Sequence, residues 1–114
     1  PRHDKERRKY ARLRLLVRSA LASRSEEQPA RFDAFERALA ELRDSGDAAE
    51  RSLAAAAYRL VGDLVEYEET GIVALRAAVE IEFAALRADA ATPPGLLGFL
   101  AFLVAEMDGG PALG

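Results

Sequence analysis

Residues 47–67, DAAERSLAAAAYRLVGDLVEY, decide the fold. Leu53, Ala57, Leu60, Leu64 and Tyr67 fall at three- and four-residue steps, and Ala54, Tyr58, Val61 and Val65 form a second stripe beside them. Steps of this size return side chains to one side of a helix. Two apolar stripes on one helix predict that it is central, with neighbours on both. The run Ala54–Ala57, with Gly62, lets a neighbouring backbone come close. Asp47, followed three residues later by Glu50, marks where the helix starts.

Toward the carboxyl end, Glu66, Glu68 and Glu69 set up a conflict. Acids oppose the partial negative charge of a helix C-terminus and suit an N-terminus. Either the helix ends near Tyr67 and these acids open the next one, or a single long central helix runs to about Ala90. The second stripe does continue through Ile72, Leu75, Val79, Phe83 and Leu86, but only by putting Glu68 on the apolar side. A break or kink near Thr70-Gly71 is therefore expected. Thr92-Pro93-Pro94-Gly95 is a stop and restart, with Thr92 read as a cap. The helix that follows, Leu96 to Met107, is apolar nearly all round, so it is expected to be sandwiched between helices or buried against a second protein.

Toward the amino end, Gly46 is expected to close the preceding helix in the left-handed conformation. That helix carries Phe32, Phe35, Leu39 and Leu42 at 3-4-3 spacing, and Ser25 with Gln28 forms a capping box at its start. A further helix is read over about 4–23, where Tyr10, Leu13, Val17, Ala20 and Leu21 make one apolar stripe. Arg7, Arg14 and Arg18 line one flank of it; Lys5, Arg8, Lys9 and Arg12 lie opposite.

The expected fold is all-α: one domain spanning 1–114, a bundle of four to five helices. The basic helix at about 4–23 precedes a helical core at about 26–107 and a loose tail at 108–114. Composition agrees. Val, Ile and Thr total ten residues, whereas Ala alone supplies 24. β-Branched residues favour strands; Ala, Leu, Arg and Glu lose little freedom in a helix. A core so rich in Ala is thin, and sharing it with a second copy is one remedy.

The formal net charge of −3 hides a split: residues 1–24 carry +7 and residues 25–114 carry −10. The basic residues Lys5, Arg7, Arg8, Lys9, Arg12, Arg14 and Arg18 are candidate contacts for an anion or an acidic partner, including the chain's own acidic part. Candidate core or interface residues are Phe32, Phe35, Leu96, Leu97, Phe99, Leu100, Phe102 and Leu103.

Several chemistries are missing from the sequence. With no Cys there is no disulfide, thiolate zinc site or cysteine nucleophile, which suits the reducing cytoplasm. No apolar run approaches the roughly 18–20 residues of a membrane span. Pro1 reads as a start from which a leading Met has been removed. No phosphate-binding Gly-rich loop occurs. The single His, His3, has neither the carboxylate partners of a di-iron bundle nor a Ser and Asp to form a triad. No cofactor, metal or small-molecule substrate is expected. The chain reads as a non-enzymatic adaptor, assembly or regulatory subunit whose partner is a second copy or a larger assembly. The rival is a nucleic-acid-associated helical protein in which Arg8, Arg12, Arg14 and Arg18 hold phosphates; a membrane partner ranks below both.

Overall fold

A computed structural model describes Arg8, Ala11 and residues 27–108 of the 114-residue chain. Four helices account for most of the described chain: α1 (Glu27–Arg43), α2 (Ala48–Thr70), α3 (Val73–Ala88) and α4 (Pro94–Asp108). No strand occurs among the described residues. Helix α1 packs against α2, α2 against α3, α3 against α4, and α4 back against α1, closing a four-helix ring.

Each boundary has a local cause. Asp47 caps α2: its Oδ1 accepts from the Ala49 N–H at 2.9 Å, occupying one of the N–H groups a helix start leaves unpaired. Ser45 supports the turn, accepting from the Asp47 N–H at 3.1 Å and donating to Glu50 Oε1 at 3.1 Å. At the other end Gly71 takes φ +69°, and its N–H donates to the Tyr67 carbonyl at 2.8 Å. Thr70 Oγ1 donates to the Glu66 carbonyl and accepts from the Ile72 N–H. The break expected at Thr70-Gly71 is there, and no single long helix runs through to Ala90. Helix α2 nevertheless passes Tyr67 and keeps Glu66, Glu68 and Glu69 in its last turns, against the helix dipole.

One expected cap falls elsewhere, and another is found at a specific helix end. Gly71 is the glycine with positive φ among the described residues, so the left-handed cap is not at Gly46. The hydroxyl of buried Thr92 donates to the Leu86 carbonyl at 2.7 Å. It thus acts as a cap, and the helix end that it closes is that of α3.

Both stripes of α2 are buried at Leu53, Ala54, Ala57, Leu60, Val61, Leu64 and Val65, with Tyr58 and Tyr67 half-buried at the edge. They meet Phe32, Phe35, Leu39 and Leu42 of α1 in one continuous core that extends to Val79 and Leu86 of α3. Phe99 of α4 packs between the α1 aromatics, with ring centroids 5.3 Å from Phe32 and 5.0 Å from Phe35. Tilted rings at this separation add to the burial energy.

Helix α4 is less deeply enclosed than its composition suggests. Leu96, Phe99, Leu100, Leu103 and Met107 are buried, but Gly95, Gly98, Ala101 and Ala105 face out. It therefore has a core side and a small-residue side rather than being sandwiched. No helix among the described residues is long and apolar enough to cross a membrane.

Candidate functional site

Helix α3 has apolar residues on both sides. Its inner side carries buried Val79 and Leu86 with half-buried Leu75 and Phe83. Its outer side is what sets it apart: Val73, Ala77, Ile81, Ala84 and Ala88, spaced 4-4-3-4, are all exposed. Val73 is 76% exposed and Ile81 70%, and Ile72, just before the helix, is 51% exposed. Isolated exposed apolar residues are ordinary, whereas a contiguous row of them along one helix is a candidate contact surface.

Charges border this face rather than interrupt it. Arg76 and Glu80 pair at 3.7 Å along one edge. Arg87 lies over the Phe83 ring, 5.6 Å from its centroid. On the other edge Glu82 shares a hydrogen bond with Asp63 of α2. Burial first, and then that neighbouring carboxylate, push the Glu82 carboxyl up to about 7, while Arg59 pulls the other way. Burial also raises the nearby Glu68 carboxyl.

A second surface feature is an open cleft of about 560 Å³ lined by Asp33, Glu36, Arg37 and Arg43 of α1 and by Tyr58 of α2. Arg43 forks onto Asp44, with Nε–Oδ1 at 3.1 Å and Nη2–Oδ2 at 3.3 Å, and donates to Tyr58 Oη at 3.3 Å. The Asp44 hydrogen bond, followed by Tyr58, raises the Arg43 pKa, and Arg43 in turn lowers that of Asp44. The walls are of mixed charge, and one of the two cations, Arg43, is already engaged by Asp44 and Tyr58. Among the described residues no three His, Cys, Asp or Glu side chains converge as a metal site.

Of the residues singled out from sequence, Phe32, Phe35, Leu96, Phe99, Leu100 and Leu103 are buried core, and Leu97 and Phe102 are half-buried against it. Arg8 is helical and exposed. Lys5, Arg7, Lys9, Arg12, Arg14 and Arg18 lie outside the described residues, as does the tail from 109 onward. The outer face of α3 was missed. Its signal was present in the spacing from Val73 to Ala88, opposite the stripe through Val79 and Leu86.

No protein-family model, curated protein or solved structure matches this chain.

Proposed function

We propose that this chain is a non-enzymatic adaptor or assembly subunit that works by laying the outer face of α3 against another protein. The observation that carries the reading is the exposure of Val73 and Ile81 on one uninterrupted apolar face. Covering large side chains of this kind contributes about 25 cal/mol per Å² of apolar surface removed from water. Helices that offer such a face are a common protein-recognition element.

The test is Ile81→Asp in the full chain, expressed in its own cells and sized in extract. The native chain should run in a complex heavier than its 12.4 kDa, and the variant should fall out of it. A native chain that runs alone in extract would remove the reading.

Charge supports a second reading, association with nucleic acid through the basic segment. Residues 1–24 carry +7, and Arg8 is exposed on a helix. Residues 27–108 carry −9, so phosphate would be repelled everywhere else. A gel shift at two salt concentrations tests it, because affinity should drop by roughly one log-log slope unit for each phosphate contact. No shift at low salt would dispose of it.

A further inference from the structure

We propose that the protein covering the outer face of α3 is a second copy of this chain, with the two α3 helices antiparallel and Arg76 of each copy bridging Glu80 of the other. The inference rests on the contact-surface reading above and names its partner.

The shape of the face supports helix-on-helix packing. At about 100° per residue, Val73, Ala74, Ala77, Ala78, Ile81, Ala84, Ala85 and Ala88 occupy a continuous arc of about 140°. No charged residue falls inside it. Ala at the middle of the face lets two helix axes approach to about 8 Å, the near end of the usual range. Val73 and Ile81 are then the bulky groups that need an apolar cover.

The charges select a copy of the same helix and its direction. In an antiparallel pair, like edges meet. The edge bearing Arg76 and Glu80 holds a cation and an anion four residues apart. A two-fold axis passing near residue 78 sets Arg76 opposite Glu80 of the other copy, and symmetry supplies the reciprocal pair. The same register lays Ile81 over Ala74 and Val73 over Ala84, large against small, with Ala77 at the close approach. A parallel pair does none of this. It would turn the edge of Arg76, Arg87 and Glu80 toward Glu82, whose carboxyl is already buried between Asp63 and Arg59, and stack Ile81 on Ile81.

The test uses the purified full chain and light scattering over a range of concentrations. The mass should reach twice the 12.4 kDa of one chain. Ile81→Asp should hold it at 12.4 kDa with unchanged helical circular dichroism, because Ile81 is exposed in the single chain. Arg76→Glu or Glu80→Arg alone should weaken pairing about tenfold or more, and the two together should restore it. Direction is read from cysteines, since the native chain has none. Under oxidation Ala77→Cys, near the axis, should cross-link into a dimer. Ala88→Cys should not, because its copies lie about 30 Å apart along the antiparallel pair. A mass of 12.4 kDa at every concentration would overturn the proposal. So would cross-linking through Ala88→Cys as readily as through Ala77→Cys. If the purified chain stays single while the extract complex still depends on Ile81, self-pairing is wrong and the contact-surface reading stands. Loss of both removes the two together.

Discussion

Asp63 of α2 and Glu82 of α3 face each other across the contact between their helices and share a hydrogen bond. Oε1 of Glu82 is buried with no partner of its own. Burial, and the cost of ionising a second carboxylate beside Asp63, keep the proton on Glu82. Arg59 offsets part of this charge but does not abolish the upward shift.

Stability should therefore depend on pH in a defined window. Unfolded, Glu82 loses its proton near 4.5; folded, it keeps the proton to about 7. Between those values the folded chain binds more protons than the unfolded one, so stability falls as pH rises through the window. Below it, Glu82 is protonated in both states and contributes no slope. Glu82→Gln keeps a hydrogen-bond donor toward Asp63 and removes the ionisation. It should flatten the slope and stabilise the protein by about 1 kcal/mol at pH 8, less than full linkage because water screens this half-buried group. Urea unfolding at pH 5 and pH 8 reads the difference. A native profile that does not fall over that range would contradict the raised Glu82 carboxyl.

Phe99 and Leu103 make the core claim testable. Both are buried, and Phe99 sits against the Phe32 and Phe35 rings. Phe99→Ala should cost about 3–5 kcal/mol in transfer and cavity terms. Phe99→Asp or Leu103→Asp should unfold the chain, since each buries an unpaired charge. Retained cooperative thermal unfolding by circular dichroism in both Asp variants would show that α4 is not packed as described.

Helical spacing made much of this legible beforehand. The stripes of α2 and the apolar series on α1 need only the sequence, because burial selects Leu, Val and Phe at helical steps. The break at Gly71 was legible because Glu68 would otherwise lie on an apolar side. What escaped is instructive. On α4, Gly98, Ala101 and Ala105 count as apolar yet cost little when exposed, so a helix that looked greasy all round has an open side. On α3, following one stripe through Val79 and Leu86 hid the other, because the sequence does not say which of two apolar faces meets the bundle. The position of Thr92 depended on a loop conformation that spacing does not encode.

Thr92 carries a prediction of its own. Its hydroxyl is the donor to the Leu86 carbonyl, at 2.7 Å and out of contact with most of the solvent. Thr92→Val keeps the shape and leaves that carbonyl without this donor, which should cost about 1–2 kcal/mol. Thr92→Ser keeps the donor and should lose about half as much or less. Equal losses in chemical denaturation would mean that methyl packing, rather than the hydrogen bond, fixes the end of α3.

Two glycines should respond in opposite directions to the same substitution. A Cβ at Gly71 or at Gly98 meets nothing within 4 Å, so crowding decides neither case. The backbone does. Gly71 caps α2 at φ +69°, where an L-side chain is strained, and Gly71→Ala should destabilise by about 1 kcal/mol. Gly98 lies inside α4 on its exposed side, where glycine costs about 0.5–1 kcal/mol relative to alanine. Gly98→Ala should therefore stabilise by about that amount. Melting temperatures of the two variants should move apart from the native value, one down and one up. If Gly71→Ala were neutral, the left-handed turn between α2 and α3 would be absent in solution, and the outer face of α3 would no longer be fixed relative to the bundle.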